Sequence, residues 1–147
     1  MHPFPHRYTV SSTIGPTGDV VLSSEGIPNL ATITPREFDG PGGLWSPETL
    51  MVAAVADCFL LTFRGIAKAS NLPWTSVSVR CAGTLERPDR VTQFTRFDIH
   101  AALALPAGVD EERARRILTK AEETCLITRS LKAETHLTVE IETLAAV

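Results

Sequence analysis

The sequence predicts an α+β fold in which antiparallel strands surround a long buried central helix, with an amphipathic helix late in the chain. Three observations support this class. The stretch from Leu50 to Phe63 is mostly apolar, and its only ionisable side chains are Asp57 and Cys58. Segments on both sides of it alternate apolar and polar residues, as strands do. After Asp110, apolar residues recur at helical spacing instead.

The central helix has a recognisable beginning and end. Ser46 can cap its N-terminus, Pro47 suits the first helical position, and Glu48 favours the positive end of the helix dipole. Pro73 prevents the helix from continuing. Spanning a bilayer would take about 20 apolar residues, and this run is shorter and carries Asp57 near its middle. We therefore expect a helix that is buried in protein.

The remaining elements follow from their periodicity. Asp110 is a plausible N-cap for the second helix, which places its apolar residues and Cys125 on one inward face. Turn signals rich in glycine and proline separate the extended segments. The predicted strands are Arg7–Ser12, Asp19–Ser23, Asn29–Thr34, Val77–Leu85, Phe97–Leu105 and Thr135–Leu144.

Length and composition narrow the class of protein. A chain of 147 residues is expected to form a single domain, residues 1–147. The net charge is −3, with no basic stripe, which argues against nucleic-acid binding. The N-terminus lacks an apolar signal region, so a cytoplasmic location without membrane attachment is expected. The four histidines share no ligand spacing with each other or with the cysteines, so no metal site is predicted.

The cysteines are the candidates for chemistry. Three cysteines at wide spacing argue against a disulfide framework. Cys58 and Cys125 lie on two helices expected to pack together, where they can approach disulfide range. A thiol that attacks a peroxide becomes a sulfenic acid, which a second thiol condenses to a disulfide. Apolar surroundings disfavour the thiolate, so a cation is required, and Arg36 is a candidate. The alternative is that these cysteines, like Cys81, are plain core residues.

A longer pattern carries a family resemblance. A Pro-Glu helix start precedes a Cys-Phe pair by ten residues, and a second cysteine follows late in the chain after a Lys/Ala-rich helix. This joint pattern resembles the osmotically inducible / organic hydroperoxide resistance (OsmC/Ohr) family over almost the whole chain. The residues that carry it are Arg36, Phe38, Gly42-Gly43, Ser46-Pro47-Glu48, Leu50, Ala53-Ala54, Ala56-Asp57-Cys58-Phe59, Lys120–Cys125 and Ser130–Glu134.

The resemblance implies an OsmC-like fold, an intertwined homodimer and a thiol-dependent peroxidase for organic, often fatty-acid-derived, hydroperoxides. It makes Cys58 the peroxidatic thiol and Cys125 the resolving thiol. Arg36 would hold Cys58 as thiolate and orient the peroxide, and Glu48 would fix the pose of Arg36. No bound cofactor is implied. The reductant would be an external dithiol such as the dihydrolipoyl group of a lipoylated protein.

The spacing adds a geometric consequence. Glu48 and Cys58 are ten residues apart, or roughly 15 Å along a straight helix, so they cannot line one pocket within a single chain. We expect a pocket across a dimer interface, where Arg36 and Glu48 of one subunit face the cysteines of the other. Apolar substrate-binding surface is expected from Phe38, Trp45, Phe59 and Phe63.

Two departures from the family pattern stand beside these expectations. Asp57 replaces a usually small apolar residue before the first cysteine, and a carboxylate beside a thiol tends to raise the thiol pKa. Leu126 stands where the family often has proline. Two other functions remain open: a non-catalytic dimer that binds small molecules under stress, and a redox sensor whose disulfide signals rather than turns over. The joint presence of Arg36, Glu48 and both cysteines argues against the first.

Overall fold

A computed structural model describes residues 2–145. The chain forms two compact units, one ending at Leu50 and the other beginning at Met51. The predicted mixed α+β class is confirmed: the described residues form two sheets and two α-helices. The first α-helix, α1, runs without interruption over Pro47–Ala69 and so passes from one unit into the other.

The first unit contains a small antiparallel sheet. Its strands are paired in chain order, with Val20 opposite Thr32 in the second pair. A 3-10 turn at Arg36–Phe38 follows the sheet. The chain then returns to the third strand, where the Ile33 N–H donates to the Trp45 carbonyl at 2.9 Å. The three strands are β1 (Ser11–Thr13), β2 (Val20–Ser24) and β3 (Ile27–Thr32).

The second unit contains a three-stranded sheet with one helix between its last two strands. Its elements are β4 (Ser76–Glu86), β5 (Gln93–Leu105), α2 (Glu111–Thr124) and β6 (Glu134–Thr143). β4 and β5 are antiparallel, as predicted, but β6 lies parallel to β5. The expectation of antiparallel strands throughout was wrong here, because α2 returns the chain to the end of the sheet where β5 began. Parallel neighbours require such a crossover.

Helix α1 begins as predicted but is buried differently. The Thr49 N–H donates to the Ser46 hydroxyl at 3.2 Å, which confirms Ser46 as the N-cap. We expected burial nearly all round. In one chain, a single stripe at i, i+4 spacing is fully buried, and the other apolar side chains of the helix are partly or largely exposed. The stripe consists of Val55, Phe59, Phe63 and Ala67.

Helix α2 packs by its predicted apolar face. The Asp110 carboxylate accepts a hydrogen bond from the Arg113 N–H at 3.2 Å, which confirms the cap. The Arg113 guanidinium donates to the Ser70 carbonyl and so ties the start of α2 to the end of α1. The buried face of α2 joins the α1 stripe and the inner side of β5 in one core. Its members are Ala114, Ile117, Leu118 and Ala121.

By length and composition alone, α1 is apolar enough to cross a membrane. The core helix of a water-soluble protein meets the same criterion. The stripe of α1 packs against the inner face of β5 and against α2, and Asp57 is exposed near its middle. We therefore interpret α1 as a core helix, and no membrane is implied.

The core of the second unit makes a stability prediction. Ile99 in β5 has no exposed surface. Ile99→Ala should lower the free energy of unfolding by about 2–5 kcal/mol, because it removes three buried carbons and leaves a cavity. Urea unfolding at matched protein concentration measures this. Val91→Ala, at a side chain 58% exposed in the turn before β5, is the control and should change stability by about 0.5 kcal/mol or less. Equal effects of the two changes would contradict this description of the core.

Candidate thiol site

Two cysteines occupy contrasting positions in the second unit. Cys58 lies in the middle of α1, next to the buried Phe59 of the stripe, and is itself half-buried. Cys125 is fully buried and is the residue at which α2 ends, with φ −60° and ψ 113°. Both are free thiols. One thiol is therefore held by a continuous helix and the other by a helix end.

The fold brings these two thiols together. The Cys125 side chain and the backbone N–H of Ile127 lie close enough to Cys58 to shift its pKa. The Thr62 hydroxyl lies 4.0 Å from the Cys58 sulfur, one helical turn further along α1. The sulfur of Cys58 is thus surrounded by a second thiol and two polar groups of the same chain.

The balance of these neighbours disfavours the thiolate of Cys58. Burial raises the pKa of Cys58 above its ordinary value, and the adjacent Cys125 raises it further. The Ile127 N–H and the Thr62 hydroxyl lower this pKa, but by less. No basic side chain among residues 2–145 contributes to the shift. In a single chain, therefore, the thiol form predominates at neutral pH, and a cation from elsewhere would be needed to reverse this.

Asp57 lies outside this environment. Its side chain is exposed, and its carboxylate is not among the groups that shift the Cys58 pKa. Consecutive residues of a helix point about 100° apart, so the carboxylate is directed away from the thiol. The departure from the family pattern at this position is therefore not among the causes of the raised Cys58 pKa.

The predicted charged partners both lie in the first unit. Arg36 begins the 3-10 turn and its side chain is exposed. One carboxylate oxygen of Glu48, Oε2, is buried without a hydrogen-bond partner among residues 2–145. The expected ion pair between Arg36 and Glu48 is not formed within that part of the chain. A buried carboxylate oxygen without a donor is costly.

Glu48 borders a cavity of about 220 Å³ within the first unit. Most of its wall is apolar, and Phe38 contributes to it. The full lining is Val20, Thr32, Ile33, Thr34, Pro35, Phe38, Pro47 and Glu48. A mainly apolar cavity beside one carboxylate suits an alkyl group better than a small polar molecule.

The four aromatic residues predicted to bind substrate fall into two groups. Phe38 and Trp45 are each 49% exposed. Phe59 and Phe63 have no exposed surface and belong to the core stripe, where Phe63 meets Trp74 edge-on with ring centroids 5.6 Å apart. Contact of any of the four with substrate stays a prediction. The second pair has packing partners on all sides in this chain.

Sequence reasoning missed Thr62 and the backbone of Ile127. Thr62 was recognisable in principle, because residues at i and i+4 are neighbours on one helix face. The contribution of Ile127 depends on how the chain turns after Cys125, which no pattern in the sequence specifies. Cys81 matches its interpretation as a core residue: it lies on the inner side of β4, and burial raises its pKa to about 11.

The arrangement defines a class: a small α+β protein in which a thiol on a central helix meets a second thiol at the end of a crossover helix. Residues 40–140 match the family model described as OsmC-like protein. The chain therefore belongs to the OsmC-like family, as the sequence pattern predicted.

Similar proteins agree with this assignment. The chain is 22% identical over 138 residues to the uncharacterized protein YmaD of Bacillus subtilis (strain 168), which covers 92% of each chain. An OsmC-like protein of unknown function from Vibrio cholerae superposes with a TM-score of 0.82 at 16% identity, covering 92% of this chain and 99% of that one. An organic hydroperoxide resistance protein OsmC from Legionella pneumophila superposes with a TM-score of 0.74 at 23% identity, covering 95% of this chain and 99% of that one. These likenesses show the fold.

The contact between Thr62 and Cys58 makes a testable prediction. Thr62→Val removes the hydroxyl that lowers the Cys58 pKa, so the pKa should rise. Alkylation of Cys58 by iodoacetamide at pH 8, followed by mass spectrometry, should then slow by roughly fivefold for a hydrogen bond worth about 1 kcal/mol. Thr62→Ser should restore the rate. Thr84→Val, on the exposed side of β4, is the matched control, and an equal slowing there would refute the role of Thr62.

Proposed function

We propose that this protein is a thiol-dependent peroxidase that reduces organic hydroperoxides of the fatty-acid type in defence against oxidative stress. The observation that supports it is the proximity of the Cys58 and Cys125 thiols in a member of the OsmC-like family. Buried cysteines are common as core residues. Two free cysteines close together, with a hydroxyl near one sulfur, are suited to reversible oxidation.

The chemistry balances with an alkyl hydroperoxide and two thiols. The Cys58 thiolate attacks the terminal peroxide oxygen, the O–O bond breaks, and the alkoxide leaves and takes up a proton to become the alcohol. Cys58 is then a sulfenic acid. The Cys125 sulfur attacks the Cys58 sulfur, and the hydroxyl leaves as water. The peroxide has accepted two electrons and the two thiols have become one disulfide, which an external dithiol such as a dihydrolipoyl group reduces.

Arg36 is the proposed source of the missing positive charge. Burial and Cys125 raise the Cys58 pKa, and no basic side chain among residues 2–145 opposes them. A guanidinium carries a fixed charge and a fork of donors that can serve a thiolate and a peroxide oxygen together. Because α1 is unbroken, Glu48 and Cys58 are about 15 Å apart along its axis. We therefore assign Arg36 and Glu48 of each site to the other subunit of a homodimer.

Two features of the single chain favour that dimer. Apolar side chains outside the core stripe of α1 remain uncovered: Leu61 is 49% exposed and Met51 37%. The buried Glu48 oxygen has no hydrogen-bond donor within the described part of the chain. A second copy that packs along α1 would cover the apolar faces and bring polar groups near the carboxylate. The intertwined homodimer is the arrangement we propose.

The substrate is proposed to be an alkyl hydroperoxide because the surfaces near Arg36 and Glu48 are apolar. Phe38 and Trp45 offer half-exposed aromatic surface in the first unit. Phe59 and Phe63 are fully buried, so they would support Cys58 from the core side of α1. The protein would act in the cytoplasm, where a lipoylated protein can supply the reducing dithiol.

The first experiment follows the thiols during oxidation. Mixing the reduced protein with one equivalent of cumene hydroperoxide should produce a Cys58–Cys125 disulfide, which peptide mass spectrometry locates. Cys81 should stay reduced, because burial raises its pKa to about 11 and no second thiol among residues 2–145 contributes to that shift. Dihydrolipoamide should then support many turnovers. A disulfide without turnover would indicate a redox sensor, and survival of both thiols in excess peroxide would refute the enzyme.

A second experiment tests the assignment of residues to subunits. Cys58→Ser and Arg36→Ala should each abolish most activity in homodimers. A forced heterodimer of the two variants should recover one working site of two, because one site then keeps both Arg36 and Cys58. The peroxide reduction rate of purified, differently tagged heterodimers measures this. A heterodimer of an intact chain and a chain that carries both substitutions is the control. It should have no working site, because each site then lacks either Arg36 or Cys58; recovery in the control alone would place the pair within one chain.

A further inference from the structure

The loop that precedes α1 holds Arg36 against a glycine. A Cβ atom added at Gly42 would lie 2.9 Å from Cγ of Arg36, 3.0 Å from its Nε and 3.4 Å from its Cδ. Carbon atoms in ordinary contact are about 3.5–4.0 Å apart. The aliphatic stem of Arg36 therefore lies directly on the main chain of Gly42, in space that any other side chain would occupy.

The backbone of the loop keeps Gly42 in this position. The Asp39 N–H donates to the Arg36 carbonyl at 3.0 Å, and the Gly40 N–H donates to the Pro35 carbonyl at 3.0 Å. The Gly42 N–H is directed at the Thr34 carbonyl at 3.4 Å. Gly42 has φ +65°, which a residue with a side chain adopts only at a cost. The chain is thus folded back over its own arginine by bonds that do not involve the guanidinium.

We propose that Gly42 is a positioning residue for Arg36. The inference rests on the proposed function, in which Arg36 supplies the charge that stabilises the Cys58 thiolate. An arginine side chain loses many rotamers when it is fixed, and contact with Gly42 removes part of that freedom before substrate binds. The contact involves the stem, so the guanidinium nitrogens keep their hydrogen-bonding capacity for the thiolate and the peroxide.

Within residues 2–145, no ion pair competes with the contact between Arg36 and Gly42. No salt bridge among residues 2–145 includes Arg36. Its orientation in one subunit is therefore set by packing on the loop rather than by a carboxylate. Glu48 can act on Arg36 only as a further constraint on a side chain whose direction Gly42 already limits.

Gly43 provides a matched control for this proposal. It also has positive φ, +89°, but an added Cβ there would have no atom within 4 Å. Gly42→Ala and Gly43→Ala therefore both place a side chain in a left-handed conformation, and only the first displaces Arg36. Gly42→Asn keeps the added Cβ but tolerates positive φ better, so it serves as the second variant if Gly42→Ala folds poorly.

The first measurement is independent of enzyme activity. The Arg36 Nε–Hε signal in the ¹H–¹⁵N spectrum of the full-length protein, assigned with Arg36→Lys, reports the environment of Nε. Gly42→Ala and Gly42→Asn should shift or broaden this signal, and Gly43→Ala should leave it nearly unchanged. An Arg36 signal that is indifferent to both Gly42 variants, with circular dichroism showing a folded protein, would overturn the inference.

The second measurement is a double-mutant cycle on peroxide reduction. Gly42→Ala should lower kcat/KM by roughly ten- to a hundredfold, the scale of a small misplacement of a reacting group. In the Arg36→Ala background it should have little further effect, because there is no arginine left to position. Gly43→Ala should change little in either background. Equal losses from Gly42→Ala with and without Arg36 would overturn the inference.

The two measurements separate the two claims. A displaced Arg36 signal with unchanged kcat/KM would support Gly42 as the residue that positions Arg36 and overturn the role of Arg36 in the proposed function. A displaced signal with a loss that depends on Arg36 would support both.

Discussion

The packing of the α1 stripe on the inner face of the second sheet is the constraint on which the thiol site depends. Val55, Phe59, Phe63 and Ala67 are fully buried against β5 and α2. Because Cys58 directly precedes Phe59 in the helix, burying the stripe sets the direction of the cysteine. The same core seats α2 through its apolar face and so fixes where Cys125 emerges. The proximity of the two thiols is a product of core packing rather than of any local motif.

That origin has an electrostatic cost. The core that brings the thiols together also removes water from them, and desolvation is the main reason that the Cys58 pKa is raised. Thr62 and the Ile127 N–H offset only part of this effect. Charge therefore has to come from a polar, exposed segment, and the loop that carries Arg36 has that character. Under the proposed function, dimerisation combines a desolvated thiol with a solvated guanidinium.

Much of the fold was predictable because its signals are local. Ser46 and Asp110 are side-chain caps, and the periods of β4, β5 and α2 follow directly from which residues are buried. The parallel pairing of β6 was not predictable from its own alternation, since a strand with one buried face alternates identically in either direction. The partial burial of α1 was missed for a related reason: an apolar composition indicates that a helix packs against something but does not say which of its faces are buried.

The candidate site likewise has some features that the sequence predicts and others that depend on the folded structure. Cys58 and Cys125 could be paired from helical phase and from the family pattern, but the position of Thr62 mattered only once the sulfur rotamer was known. Gly42 was noted in the sequence only as one of the residues that carry the family pattern. Its contact with Arg36 depends on hydrogen bonds among main-chain atoms of residues 34–42, which side-chain patterns do not encode.

The end of α2 at Cys125 has a mechanical consequence. Cys58 sits in mid-helix, where displacement would strain several backbone hydrogen bonds at once. Cys125 is the first residue outside its helix and leads into the short 3-10 turn Thr128–Ser130. If the two sulfurs form a disulfide, the backbone movement that this requires will fall mainly on segment 125–130, which lies outside the α-helices. Helix α1 would keep its position and hold Cys58 in place while that segment moves.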